Sequence, residues 1–401
     1  MAESGASGAP VIFFLAKVFR TDSRVRQEAK SLVGANYSVF VLAWSKGGKF
    51  RSIENLDGAT VRSYGLLSPR SRLGLALGAL VFQAILFLES LRIIVRLKQK
   101  PIVHAHDFNT LLPGCLLALF RLSAALVYDA HELTYAAYSE FFSSKIGNII
   151  RAIEERFIRC AMAIITVTPE FARYYSRFGR KTEVVFNCPR ASDIPRASRL
   201  ELRTRLGLAV NAFIVSYIGT ARYDSRFDLL LSVAQVLRED ERVLFLVVGC
   251  DERGLPLSSY ARLAKEAGAR VTFLPFTSRD KALAYVAASD LTWAIYDKRS
   301  LNMRLTLPWK LFESLACRVP VIVDNGTARA EFVKKLKCGL VAETDDPAHI
   351  SELIVSLVDN PARLRDSMLP DTQLAAEFTW ESMSGKLIEV YKRLRQNSRK
   401  G

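Results

Sequence analysis

Short runs of consecutive apolar residues alternate along this chain with longer stretches in which apolar residues recur every three or four positions. The runs predict strands near 11–16, 38–43, 101–105, 125–129, 163–167 and 182–186, then near 213–218, 243–248, 271–274, 291–295, 319–323 and 339–342. The periodic stretches predict helices over 24–34, 72–98, 109–122, 145–161 and 169–178. A second series follows over 226–238, 257–267, 279–288, 309–316, 328–336, 347–358 and 381–396. Strands that are apolar throughout, separated by helices, belong to parallel sheets covered on both faces. The pattern runs twice, interrupted at 187–196, where Pro189 and Pro195 mark a linker. The expected fold class is therefore α/β, with two Rossmann-like, doubly wound domains. They would occupy 1–187 and 188–377, with a last helix in 378–401. Ligands of such sheets sit at the carboxyl ends of the strands, so two domains facing across a cleft would share a site there.

Size and charge narrow the partners. The 401 residues suffice for two domains. A net charge of +16 suggests an anionic partner: nucleic acid, an anionic membrane surface or phosphorylated ligands. No nucleic-acid motif and no interleaving of aromatic and basic residues is found, so nucleic acid is not expected. Cys115, Cys160, Cys188, Cys250, Cys317 and Cys338 are scattered and form no Cys-x-x-Cys pair. They read as reduced thiols in a cytoplasmic protein. The first ten residues carry no Lys or Arg, and the apolar run at 11–16 is too short for a secretory signal.

The apolar run from Leu73 to Leu88 falls short of the about 20 residues that span a bilayer. It reads as a buried helix covering a sheet, or as an interfacial helix touching lipid, and the two are compatible on opposite faces. Lys392, Arg393, Arg395, Arg399 and Lys400 form a tail without acids that suits anionic headgroups. The expected location is cytoplasmic, peripheral on the inner face of a membrane.

Candidate chemistry gathers at strand ends. Pro308 opens a predicted helix, with Lys310 and Glu313 near its start. A helix N-terminus attracts phosphate, the lysine adds a mobile positive charge, and the carboxylate suits a ribose diol. Gly219 follows a strand and permits a tight turn, and Arg222 and Arg226 stand in the loop behind it, where they can meet phosphate. There is no Gly-x-Gly-x-x-Gly and no P-loop lysine. In the first half, His104, His106 and Asp107 end a strand and Asn109 opens a helix. Alternation places both histidines on one side, and the last residues are expected to protrude toward ligand. A zinc site lacks a third ligand there. Asp129, His131 and Glu132 follow another strand and suit sugar hydroxyls. Asp22 or Ser23 is the expected cap of the first helix, with Arg24 behind it.

Taken in order, these segments resemble the GT-B nucleotide-sugar glycosyltransferases, specifically the retaining group called family 4. The resemblance is carried by Asp22, Arg24, Val25, Glu28 and Ala29, by 104–107, by 129–133, and by Gly219 with Arg226. Val248 and Gly249, the run Pro308, Lys310, Leu311, Phe312 and Glu313, and Phe378 with Trp380 before a last helix complete it. It covers nearly the whole chain and implies a donor site in the second domain, with Arg226 and Lys310 on the diphosphate and Glu313 on the ribose. Gly219, Arg222 and Leu311 would line the donor. His106 would lie near the transferred sugar. The first domain would bind acceptor through Arg24, Asp107, Asn109, Asp129, His131 and Glu132. No metal and no cofactor is expected, because cationic side chains and a helix N-terminus stabilise the departing diphosphate. Two positions depart from the family pattern. Leu305 stands where a first glutamate is common, with Asn302 as a substitute, and Arg318 stands where glycine often ends the helix. The implied activity is transfer of a sugar from a nucleoside-diphosphate donor to a lipid-linked or cell-surface polysaccharide precursor. A non-catalytic scaffold, or a nucleotide-sugar epimerase of the same fold, is the alternative.

Overall fold

The computed structural model describes residues 9–45, 51–65, 72–219, 225–250, 257–360, 373 and 377–398. The chain divides into two compact units, one made of 1–186 with 384–401, the other of 187–383.

The first unit holds strands β1 (Pro10–Leu15), β2 (Ser38–Ser45), β3 (Arg51–Leu56), β4 (Ala59–Gly65), β5 (Ile102–His106), β6 (Ala125–Ala130), β7 (Ala163–Thr166) and β8 (Lys181–Val184). They form one sheet in the order β3-β4-β2-β1-β5-β6-β7-β8. Every pairing is parallel except β3 with β4. The helices are α1 (Ser23–Gly34), α2 (Arg72–Leu97), α3 (Leu111–Leu119), α4 (Thr134–Phe141), α5 (Ser144–Ile158) and α6 (Pro169–Ser176). β1 is buried along its length, as its unbroken apolar run requires. Asp22 caps α1, its carboxylate accepting from the Val25 N–H at 3.1 Å.

The second unit holds α7 (Arg199–Leu206), β9 (Phe213–Ile218), α8 (Phe227–Val236), β10 (Val243–Cys250), α9 (Leu257–Glu266), β11 (Val271–Pro275), α10 (Arg279–Ala287) and β12 (Leu291–Trp293). It continues through α11 (Leu301–Leu305), α12 (Trp309–Ala316), β13 (Val321–Asp324), α13 (Ala328–Leu336), β14 (Gly339–Ala342) and α14 (Pro347–Asp359). Its all-parallel sheet runs β11-β10-β9-β12-β13-β14. Both faces are covered: Phe213, Val215 and Tyr217 of β9 join one apolar cluster, and Ile214 and Ile218 join another.

In each sheet the strand order reverses at one point, between β1 and β5 and between β9 and β12. Adjacent loops diverge there, which opens a crevice for ligand at the carboxyl ends. The last helix, α15 (Trp380–Ser398), starts in the second unit, where the Trp380 N–H donates to the Pro189 carbonyl at 2.8 Å. From Ser384 onward it belongs to the first unit.

Three features depart from the pattern-based reading. The β3–β4 hairpin is absent from it, because Arg51 and Glu54 break the apolar run on an edge strand. The hairpin signal was Asp57-Gly58, whose positive φ angles of 55° and 82° make a tight two-residue turn. α4, α7 and α11 are short additional helices, and α7 carries a capping box between Ser198 and Glu201. Third, α2 has the extent the periodicity predicts, but its Leu77–Leu97 stretch is long and apolar enough to cross a membrane, by length and composition, where the run to Leu88 read as too short. It nevertheless packs on the first unit through buried Phe82, Leu86 and Ile93. Its Glu89 is buried and accepts from Arg62 Nη1 at 2.7 Å and Arg51 Nη2 at 3.3 Å.

Candidate active site residues in each unit

At the β1/β5 reversal, the parallel register pairs His104 with Phe13 and His106 with Asp129. His104 and His106 stand two residues apart on β5 and so share a face, and their imidazoles stack, the centroids 4.3 Å apart and the planes 15° from parallel. Asp129 Oδ2 lies 3.5 Å from both His104 Nε2 and His106 Nδ1, and 3.1 Å from His131 Nε2. α1 closes the cluster from above. Arg24 reaches Glu28 Oε1 at 3.0 Å and Asp129 Oδ1 at 3.3 Å, and donates to the Val185 carbonyl at 2.7 Å. At the rim, Asp107 accepts from the His131 N–H at 3.1 Å and pairs with Lys17 at 3.0 Å. Its φ of 61° is a strained value for a non-glycine residue.

The charges follow from these contacts. Burial, with His104 beside it, pushes His106 down to about 3, and burial also lowers His104, so both are neutral at pH 7. Burial lowers His131 too, but Asp107 and Asp129 outweigh it and the nearby Arg24, and hold His131 at about 9. Burial would raise Asp107, yet His131 and Lys17 bring it down to about 2. Asp129 sits well below the usual carboxylate range: burial opposes ionisation, but Arg24 and His131 prevail. Glu28 goes the other way, raised by burial and by Asp129.

The structure corrects several expectations here. His106, Arg24 and Asp129 do not protrude toward ligand; all three are buried, because α1 lies over the ends of β5 and β6. The accessible members of the set are His131 and Asp107, with side chains 15% and 16% exposed, and the exposed Asn109 and Glu132. Asn109 accepts from the Tyr138 hydroxyl at 3.0 Å. Lys17 joins this rim and was not singled out by sequence; its signal was a lysine just past β1 at the reversal.

The missing third zinc ligand does appear, since Glu28, His104, His106 and Asp129 bring ligand atoms within 4.8 Å of one another. Arg24 already bridges both carboxylates, however, and a divalent ion would have to sit beside that buried guanidinium.

At the β9/β12 reversal, Gly219 just after β9 and Gly249, the last residue but one of β10, have φ of 138° and 103°. A β-carbon on Gly249 would lie 2.8 Å from the Gly219 carbonyl oxygen, so glycine is required there. Lys310 is buried on the first turn of α12, its Nζ 3.3 Å from the Tyr217 ring centroid and 4.0 Å from where a Gly219 β-carbon would sit. Pro308 caps α12 instead of opening it. Glu313, one turn on, has its pKa raised by burial, with Arg279 and Lys310 opposing. Arg279 Nη2 lies 3.3 Å from its carboxylate, and that guanidinium stacks 4.5 Å over Trp309.

Arg226 caps α8 in the left-handed region, φ 45°, and pairs with Asp228 at 3.2 Å and Asp345 at 2.8 Å. Asn302 is buried on α11. The Leu311 side chain is core, and its N–H is taken by the Pro308 carbonyl, so its place in a donor site is not supported. Arg222 lies outside the described residues. Arg318 takes the left-handed conformation that glycine would favour, φ 54°, so the helix ends as the family pattern requires without the glycine.

Residues 21–190 match the model of the glycosyl transferase 4-like domain, and residues 198–371 match that of glycosyl transferases group 1. The chain is a GT-B glycosyltransferase of the family 4 type. It is 26% identical over 304 residues to the D-inositol 3-phosphate glycosyltransferase of Rhodococcus jostii, a match covering 73% of this chain and 66% of that protein. A shorter stretch of 165 residues is 29% identical to a GDP-mannose-dependent monoacylated alpha-(1-6)-phosphatidylinositol monomannoside mannosyltransferase of Corynebacterium glutamicum, covering 40% of this chain and 42% of that one. Among solved structures, sucrose-phosphate synthase from Thermosynechococcus elongatus superposes with a TM-score of 0.74 at 17% identity, covering 97% of this glycosyltransferase and 100% of the other chain. Anabaena HepE in complex with UDP-glucose gives 0.70 at 15% identity, covering 96% and 99%. At such identities the superpositions establish the fold.

Proposed function

We propose that this glycosyltransferase moves a sugar from a nucleoside-diphosphate donor to a hydroxyl of a lipid-linked or cell-surface polysaccharide precursor, with retention at the transferred carbon. The observation that carries the donor half is Lys310 with Glu313. Both are largely buried on one turn of α12, and the lysine stands beside the glycine turn that ends β9. A helix N-terminus and a desolvated ammonium suit a diphosphate leaving group, and a carboxylate one turn on suits a ribose diol. Arg226 adds charge at the head of α8, and Asn302 stands in for the usual first glutamate. On this reading no metal is required.

For the acceptor, the rim of Lys17, Asp107, Asn109, His131 and Glu132 offers hydrogen bonds of both polarities and two cations. That composition suits a phosphorylated or polyhydroxyl acceptor. Relatives named for inositol phosphate and phosphatidylinositol mannoside acceptors support the same class. His106 is a positioning residue in this scheme, holding Asp129 against His131. A lipid-linked acceptor would place the enzyme on the cytoplasmic face of a membrane, with the outer side of α2 and the basic tail toward it.

Calorimetry with UDP, GDP and their sugars tests the donor site. Lys310→Ala and Glu313→Ala should each weaken nucleotide binding or donor turnover about 10²-fold or more. Near-normal behaviour of both would overturn the assignment, and a wild-type chain that binds no nucleotide would favour a scaffold.

A further inference from the structure

Five large apolar side chains stand exposed on the first unit, none of them among the residues assigned above to donor or acceptor. Phe141 and Phe142 lie at the α4–α5 corner, 80% and 53% exposed, and Ile146, Ile149 and Ile153 follow on α5. Positions 146, 149 and 153 are spaced by three and four residues, which makes one stripe along the helix, and Phe141 and Phe142 stand just before its start. Lys145 and Arg156, both exposed, border it, while the acid Glu155 is turned aside and paired to Arg177 at 2.9 Å.

The stripe is not a core face that has failed to pack, because the opposite face of α5 is pinned. A β-carbon on Gly147 would meet Ser139 Oγ at 1.8 Å and the Tyr135 carbonyl at 2.6 Å, so α4 and α5 touch backbone to backbone. Glu154, also on that face, accepts from the hydroxyls of Tyr128, Thr134 and Tyr175 at 2.5, 2.9 and 3.1 Å. Rolling α5 to bury its isoleucines would break these three hydrogen bonds and the glycine contact.

We propose that this face of α5 docks on an anionic lipid surface. An exposed apolar stripe with cations along its edge is the pattern of a helix lying in a bilayer interface. Its charge matches acidic headgroups, as does the chain's net +16. The aromatic pair at the corner would insert beside the headgroups. α3 packs against both α2 and α5, so this stripe shares one helical layer with the apolar outer side of α2. The proposal deepens the lipid-linked acceptor reading, but its test does not depend on knowing the acceptor.

The test is co-sedimentation of the full chain with vesicles of phosphatidylcholine alone, and of phosphatidylcholine with an equal part of phosphatidylglycerol. Wild type should bind the second far better, and high salt should weaken it. The double variant Ile149→Glu, Ile153→Glu changes exposed positions and should lower the bound fraction about tenfold. Lys145→Glu with Arg156→Glu should abolish the preference for anionic vesicles. Vesicle binding unchanged in the isoleucine variant would overturn the proposal. So would a wild type that self-associates through this face, with the variant monomeric in ultracentrifugation and neither form binding vesicles. Nucleotide calorimetry on the same samples separates the readings: intact donor binding with lost vesicle binding implicates α5 alone, and lost donor binding strikes the donor site instead.

Discussion

The Tyr391 hydroxyl lies 2.6 Å from Nδ1 of His104, a buried hydrogen bond between residues 287 positions apart. It joins α15 to the network that runs through His104 and Asp129 to His131. Tyr37 packs edge-on against Tyr391, centroids 5.5 Å apart, and holds the phenol in place. The last helix thereby supplies a hydrogen-bond partner to an imidazole at the β1/β5 reversal.

Tyr391→Phe keeps the ring and removes the hydroxyl, leaving a buried imidazole nitrogen without that partner. The expected cost is about 1–3 kcal/mol, read as a lower denaturant midpoint with an unchanged slope. A midpoint equal to wild type would show that the hydrogen bond is not maintained in solution.

His131 makes stability depend on pH. Its folded value of about 9 lies above the ordinary 6.5, so the charged imidazole stabilises the fold. That contribution is complete below pH 6.5 and is lost as pH rises toward 9. The urea midpoint of wild type should fall across this interval. In His131→Gln the fall should be shallower, and equal slopes would rule out His131 as its source.

Arg318 ends α12 with φ 54°, and its N–H still donates to the Leu315 carbonyl at 3.0 Å. Glycine adopts that backbone without the β-carbon clash. Arg318→Gly should therefore stabilise the protein by about 1 kcal/mol, visible as a higher melting temperature. A lower one would mean that the arginine side chain contributes more than the strain costs.

Most strands were legible because a strand buried on both faces must be apolar throughout. β3 and β4 were not, since the edge strand β3 carries Arg51 and Glu54, β4 carries Arg62, and only Asp57-Gly58 signalled their turn. In the site, the strand-end histidines and Asp129 were legible as types and positions, and their register put His104 and His106 on one side as alternation requires. Their burial was not legible. Whether His106 meets ligand depends on Arg24 and Glu28, which arrive from α1. Tyr391 was likewise invisible as a partner of His104, because nothing local to either residue marks the other.

Local pattern was thus enough to specify two largely parallel sheets, the helices other than the short α4, α7 and α11, and which polar residues sit at the carboxyl ends of strands. Those properties depend on neighbours one to four positions away. Which of these residues is sealed and which is offered to solvent was decided in three dimensions. Arg24, His106 and Asp129 went inside while Lys17, Asp107 and His131 formed the rim. Burial and charge state are set by groups that the fold brings together from distant parts of the chain, and no short window of sequence contains them.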